Sequence, residues 1–380
     1  METIQGALKN GRNVLDRINM PQGEFDTHVS NIRKAMQKEK LNLVLIYGYA
    51  FDSYADVAYV TNFITRLPRG ALVALPLDGQ PMLFFDGSTR GIPSFRKTVS
   101  DADVIAVSDM VKDCTRHLTE RNMLKGRIGV AGLRQLMPYG QFKALETVLS
   151  DCEVVETNSI VPDCRLVKSI REQDEIRRAG RILREIFDGI KEFDFPSMDE
   201  HSIQAVLYKE ARYSGAEDVR ALFGRATDDH WYLGPAEKRT IKEGQTFSVY
   251  LSVEFERYWA EAARTFTIQD GLLIPADQGI EELFRRSAEV LKAGKTGSEA
   301  YSSITQILKG GAFEVLKEYG IGYGIGLSPE EQPRIAEREI TPLAEGMAIA
   351  LHLVAGNKDT GVLMKGDTLL VTEAIPVVLT

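Results

Sequence analysis

Apolar and polar positions change period several times along the chain, and each change marks an element. In "FDTHVSNIRKAMQKEKL" the apolar residues fall at helical spacing, and the "NLVLIYGY" that follows is an unbroken apolar run of strand length. "GALVALPLDGQPMLFFDG" sets two apolar runs on either side of an Asp-Gly turn, the pattern of a hairpin. "GRIGVAG", "YGQFKALETVLSD" and "CEVVETNSIV" repeat strand, helix and strand. Together these segments predict an α/β domain with helices covering a sheet.

The character changes in "PDCRLVKSIREQDEIRRAGRILREIFDGIKEF". Ser169 followed by Glu172 is a capping box, in which each side chain satisfies a free amide at the helix start. Behind it Ile176, Ala179, Leu183, Ile186 and Ile190 recur at helical spacing, so a long amphipathic helix begins here. The domain boundary is placed near residue 162, giving an N-terminal α/β domain over 1–162 and a second domain over 163–380. The second domain is predicted to hold helices near 198–213, 278–292 and 298–319, and strands near 246–255, 258–268, 346–354 and 366–374.

Side chains alternate across a strand, so each of these strands splits into two faces. "TFSVYLSVEFE" puts Phe247, Val249, Leu251, Val253 and Phe255 on one face and Ser248, Tyr250, Ser252 and Glu254 on the other. In the next strand Glu261 shares a face with Ala263, Thr265 and Thr267. Ala348, Ala350 and His352 take one face of "GMAIALHLV", and Gly366, Thr368 and Thr372 one side of "GDTLLVTEA". A solvated antiparallel face alternates in the same way. Small residues predominate here where a solvated face would carry Lys, Glu and Arg, so the pattern favours a cavity lined by Tyr250, Glu254, Glu261 and His352.

Composition narrows the partners. The 380 residues carry a formal net charge of -8, which disfavours a nucleic-acid or anionic membrane surface as the main partner. The first residues lack the apolar stretch of a signal peptide, and no later run is long enough to span a bilayer, so a cytoplasmic location is expected. Cys114, Cys152 and Cys164 have no paired metal-ligand spacing and read as reduced thiols. No Gly-x-Ser-x-Gly elbow or Walker loop occurs, and "GIGYGIG" has the wrong flanks for a dinucleotide fingerprint.

The linker "RLVKSIREQDEIRRAGRI", followed in order by "YWAEAARTFTI", "GIGYGIGLSPEEQPRI", "LAEGMAIALHLV" and "GDTLLVTEAIPVVLT", resembles the catalytic domain of the creatinase, prolidase and aminopeptidase P family. The N-terminal domain, with "YVTNF", resembles that family's first domain, so the likeness covers essentially the whole chain. It implies an α+β architecture: a pita-bread domain, two pseudo-symmetric halves around a curved antiparallel sheet, after an α/β creatinase-type domain. It also implies a homodimer with the active site near the subunit interface.

Peptidases of the family hold two metal ions with two Asp, one His and two Glu. The corresponding positions are Tyr250, Glu261, Tyr323, His352 and Gly366, a set short of the deprotonated ligands that divalent ions need. The family's proton-transfer histidine falls at Glu330, and another family histidine aligns near Leu233, with His230 three residues earlier beside Asp228 and Asp229. Creatinase works without metal, using a histidine as acid and base, carboxylates for a guanidinium and arginines for a carboxylate. Arg334 falls at one such arginine, whereas two substrate carboxylates fall at Ala263 and His352, which departs from creatine recognition.

The expectation is therefore a metal-independent, creatinase-like hydrolase, without a cofactor, that cleaves a C–N or C–C bond in a small polar, carboxylate-bearing molecule. His352 or His230 would move the proton, Glu261 and Glu330 would hold a cationic end or relay a proton, and Arg334 would hold the carboxylate. Tyr250 and Tyr323 would donate to a developing oxyanion, and Tyr258 is a further substrate contact. Phe63 and Arg66, with Arg69 as a substitute, resemble the creatinase loop that reaches the neighbouring subunit's site. Glu331 reads as a solvated neighbour. Two rivals remain: a rebuilt site with one ion on Glu261, His352 and Glu254 or Glu330, and a non-catalytic pita-bread protein that binds a partner.

Overall fold

The computed structural model describes residues 15–49, 53–64, 69–190, 198–226, 231–276, 279–309, 314–315, 320–357 and 361–380. The chain divides into two compact units, Met1–Arg165 and Leu166–Thr380, with the division at the end of the short helix Ile160–Arg165.

In the first unit the alternating periods become a mixed sheet. Its strands are β1 (Leu43–Tyr49), β2 (Gly70–Pro76), β3 (Met82–Asp86), β4 (Asp103–Val107), β5 (Arg127–Ala131) and β6 (Glu153–Glu156), in the order β4-β3-β2-β1-β5-β6. β1 runs parallel to β5 and antiparallel to β2, and Gly79, with φ +97°, turns the β2–β3 hairpin. β1 and β2 are buried almost throughout, as strands covered on both faces must be. The helix Gln22–Glu39 buries the stripe Phe25, Val29, Ile32 and Met36 that its spacing predicts.

The second unit begins with the helix Ile170–Gly189, and both halves of the Ser169–Glu172 capping box form, at 3.1 and 2.8 Å. Its strands are β7 (Asp218–Ala226), β8 (Trp231–Gly234), β9 (Thr246–Phe255), β10 (Tyr258–Gln269), β11 (Leu272–Pro275), β12 (Glu314–Val315), β13 (Gly322–Gly324), β14 (Glu331–Arg334), β15 (Ala348–Asn357), β16 (Gly361–Leu370) and β17 (Val377–Val378). The main path of the sheet is β14-β13-β15-β16-β10-β9-β7-β8, with every pairing antiparallel. β9 and β10 are joined by the two-residue turn Glu256–Arg257, both at positive φ (45° and 78°), which suits the twist of a tight hairpin. The helix Ile170–Gly189 packs on the apolar faces of β9 and β10, where Phe187 stacks on Phe266 at 6.4 Å. Helices Ile280–Ala288 and Gly297–Lys309 cover β15 and β16 through a core that includes Phe284, Leu291, Ile304, Ile349 and Leu369.

Three predicted elements have an end shifted by at least four residues. The helix expected over 278–292 ends at Ala288, after which Val290 and Leu291 take up turn hydrogen bonds. The helix expected over 298–319 ends at Lys309, just before two successive glycines of high helix cost, and Glu314–Val315 pairs with β15 as a strand. The last long strand spans Gly361–Leu370 rather than 366–374, because its first half pairs with β15, and Thr372 falls outside it.

Candidate active site

Strand register brings the predicted polar face together. Tyr250 pairs with Ala263, Ala263 with Gly366 and Gly366 with His352, while Ser252 pairs with Glu261 and Tyr323 with Ala350. Partners across antiparallel strands share a face, so five strands present these side chains to one side of the sheet. The apolar alternates of β9, among them Val249, Leu251 and Val253, are fully buried on the other side.

Glu261 is the centre of the group and is 2% exposed. The Tyr250 hydroxyl donates to its Oε2 at 2.7 Å, and the Tyr323 hydroxyl reaches Oε2 at 3.0 Å and Oε1 at 3.1 Å. His352 Nδ1 lies 3.8 Å from Oε1, outside hydrogen-bond range, and its ring meets that of Tyr323 edge-on at 5.4 Å. Behind the carboxyl, Thr368 Oγ1 accepts from the Glu261 amide at 2.8 Å and donates to the Glu261 carbonyl at 2.9 Å. It replaces ladder bonds where the register between β10 and β16 is short, and so fixes the Glu261 backbone.

Burial raises the Glu261 carboxyl from the usual range to about 7; the hydroxyls of Tyr250 and Tyr323 oppose the rise and the charge of Glu330 adds to it. Burial and the adjacent Glu261 push both tyrosine hydroxyls well above their ordinary value, so both stay protonated donors. The result is a carboxyl that changes charge near neutral pH between two neutral donors, with an imidazole within one water's reach. Such a group serves as general base and then general acid.

These residues do not fit a pair of metal ions. Both tyrosines are held neutral, both Glu261 oxygens accept from them, and Gly366 has no side chain to offer. A Cβ at Gly366 would lie 3.2 Å from His352 Cβ and 3.3 Å from Ala263 Cβ, so a side chain there would have to push these neighbours back by a few tenths of an ångström. Among the described residues, this face holds no three His, Cys, Asp or Glu ligand atoms within 4.8 Å of one another.

Of the other predicted site residues, Glu330 and Arg334 stay beside the group and the rest separate. Arg334 pairs in register with Tyr323, one strand further out, and forms an ion pair with Glu330; both side chains are largely exposed. Glu331 is no solvated neighbour: its side chain is 7% exposed and bonds Lys168 Nζ at 3.0 Å, because the chain turns it inward beneath Gly326. Tyr258 stands apart from the group, since its position in β10 alternates with Glu261 and its hydroxyl donates to Glu172 at 3.0 Å. Phe63 is buried in the first unit against Phe95 at 5.0 Å and Phe85 at 5.8 Å, an aromatic core rather than a reaching loop. Arg69 is exposed and donates to the Asp86 carbonyl at 3.3 Å. Leu233 packs against Trp231, Ala263, Val354 and Met364. His230 and Arg66 lie outside the described residues. Sequence reading placed Thr368 on the right face but missed its bond to Glu261, a contact between residues 107 positions apart that no local pattern announces.

The sequence profile of metallopeptidase family M24 matches residues 174–373, and that of the creatinase/prolidase N-terminal domain matches residues 28–167. The chain belongs to metallopeptidase family M24, and its second unit has that family's curled antiparallel sheet covered by helices. It is 24% identical over 354 residues to an uncharacterized peptidase, YqhT, of Bacillus subtilis, covering 89% of this chain and 96% of that one. It is 24% identical over 254 residues to a Xaa-Pro dipeptidase of Pyrococcus horikoshii, covering 64% and 70% of the two chains. The solved structure of a Xaa-Pro dipeptidase from Bacillus anthracis superposes with a TM-score of 0.74 at 21% identity, covering 94% of this chain and 97% of that one. These three relatives are peptidases by description, and peptidases are hydrolases.

Proposed function

We propose that this chain hydrolyses a C–N bond in a small substrate bearing a carboxylate, with Glu261 as the proton-transfer group in place of a metal pair. The observation that carries the reading is the Glu261 carboxyl, buried and poised near pH 7 between two tyrosine hydroxyls. Ionised Glu261 takes a proton from the attacking water as the C–O bond forms. Once protonated it is a weaker acceptor, so the Tyr250 and Tyr323 hydroxyls turn to the oxyanion that appears in the same step. The C–N bond then breaks as Glu261, or His352 beside it, returns a proton to the leaving nitrogen. Arg334, freed from Glu330, pairs with the substrate carboxylate. Peptidase relatives support C–N over C–C cleavage.

A panel of Xaa-Pro dipeptides and of amidino and guanidino acids, assayed with the native chain and Glu261→Gln, tests this. A turned-over substrate whose kcat falls about 100-fold or more in the variant is expected, the usual scale of a lost acid–base group. Full activity in Glu261→Gln would overturn it.

The family gives a second reading, in which a single ion sits on Glu261, His352 and Glu254 or Glu330 and serves a peptidase-like reaction. It is favoured by the Xaa-Pro dipeptidase relatives and by the 3.8 Å approach of His352 to Glu261. Metal analysis separates the two.

A further inference from the structure

The strand register sets Ser252 directly across from Glu261. The Glu261 amide and carbonyl both bond Thr368 Oγ1 on the β16 side, so this cross-strand pair is a non-hydrogen-bonded one, the kind in which facing side chains lie closest. Tyr250 alternates with Ser252 two positions earlier in β9, and both hydroxyls therefore stand on the face that carries the Glu261 carboxyl. We infer that Ser252 is a positioning residue acting through Tyr250: its hydroxyl donates to the Tyr250 oxygen while Tyr250 donates onward, first to ionised Glu261 and then to the oxyanion.

Burial makes the state of this hydroxyl informative. Ser252 is 1% exposed, and among the described residues its Oγ makes no hydrogen bond in the resting arrangement. A buried polar group left so costs free energy, which a site recovers when the group gains a partner in use. The Tyr250 oxygen is an acceptor within its influence: the Ser252 hydroxyl favours the ionised form of Tyr250, against burial and the charge of Glu261, which both oppose it. Negative charge grows on that oxygen as its proton is drawn toward Glu261 or the oxyanion, and the Ser252 bond closes as it grows. A hydroxyl that accepts a hydrogen bond gives its own proton more strongly, so the chain from Ser252 through Tyr250 holds Glu261 ionised at lower pH than Tyr250 alone would.

The charged and titratable groups that face these hydroxyls and Glu261 are Tyr323 on β13, His352 on β15, Glu330 through its charge, Glu254 next on the same face of β9, and Asp218 and Arg220 on β7. Arg220, the β7 partner of Ser252, stacks on the Trp259 ring at 4.5 Å and pairs with Asp218 at 3.8 Å. Loss of one serine hydroxyl leaves all of these groups in the chain, so a change at Glu261 in Ser252→Ala reports the serine itself. The role at the oxyanion rests on the proposed function; the role at Glu261 does not.

The test is an NMR titration of the full chain labelled at its glutamate carboxyl carbons, with the Glu261 signal assigned by its absence from Glu261→Gln. Ser252→Ala weakens a donor to the ionised carboxyl and so is expected to raise the Glu261 midpoint, by about 0.3 pH unit for one cooperative bond. Tyr250→Phe is expected to raise it by about one unit, and adding Ser252→Ala to Tyr250→Phe to move it by less than about 0.1 unit further. A midpoint that stays or falls in Ser252→Ala would overturn the inference. So would an equal rise in the Tyr250→Phe background, which would place Ser252 on Glu261 directly. Because the titration is read without turnover, its failure is distinct from failure of the proposed reaction.

Discussion

At Glu261, burial and hydrogen bonding pull in opposite directions, and the balance leaves the carboxyl near neutrality. Burial raises it, while the hydroxyls of Tyr250 and Tyr323 hold it down. Removing one hydroxyl therefore raises the carboxyl further. A general base works ionised, so the proposed role predicts that kcat/KM climbs as pH passes through the Glu261 midpoint of about 7. In Tyr323→Phe that climb is expected to move to higher pH, by about one unit for one lost hydrogen bond to a charged group. The pH–rate profile checks it; a climb unmoved or moved to lower pH would show that Glu261 is not the group titrating. Residue identity made Glu261 legible from sequence as a candidate, but not its poise, which arises from Tyr323 62 positions away.

At the scale of elements, the segment that carries Glu330 is held by a buried ion pair. Lys168, in the linker before the helix Ile170–Gly189, bonds Glu331 with side-chain exposures of 3% and 7%. Glu331 Oε1 also accepts from the Ser328 amide at 2.9 Å, and the Gly326 carbonyl accepts from the Trp259 amide at 2.8 Å, tying the bend to the start of β10. Removing one partner of such a pair strands a buried charge, so Lys168→Ala is expected to cost about 3–5 kcal/mol in denaturant unfolding. The double replacement Lys168→Met, Glu331→Met is expected to recover most of that loss, since no charge is then left unpaired. Similar losses in both variants would place the stability in packing rather than in the charges. Strands β9, β10, β15 and the capped helix were legible because period-two alternation and the Ser169–Glu172 signal are local. Glu330 and Glu331 were not distinguishable, because adjacent acids look alike in sequence until a turn sends one inward.

For the molecule as a whole, the order of elements identified the architecture, since the polar faces of β9, β10, β15 and β16 converge as their alternation implies. What sequence left open was how the vacated ligand positions are filled. The structure sets His352 and Ala263 close beside Gly366 and puts the Tyr250 and Tyr323 hydroxyls on Glu261, so the family's sheet carries a donor set poor in deprotonated ligands. Elemental analysis of the purified chain, before and after chelation and with turnover measured on each sample, bears most directly on the proposal that Glu261 acts in place of a metal pair. Less than about 0.1 equivalent of Zn, Mn, Fe or Co, with turnover unchanged by chelation, is the predicted result, because tight retention needs several deprotonated ligands that this face lacks. One or two equivalents of such an ion, with turnover lost on its removal and restored on its return, would contradict it.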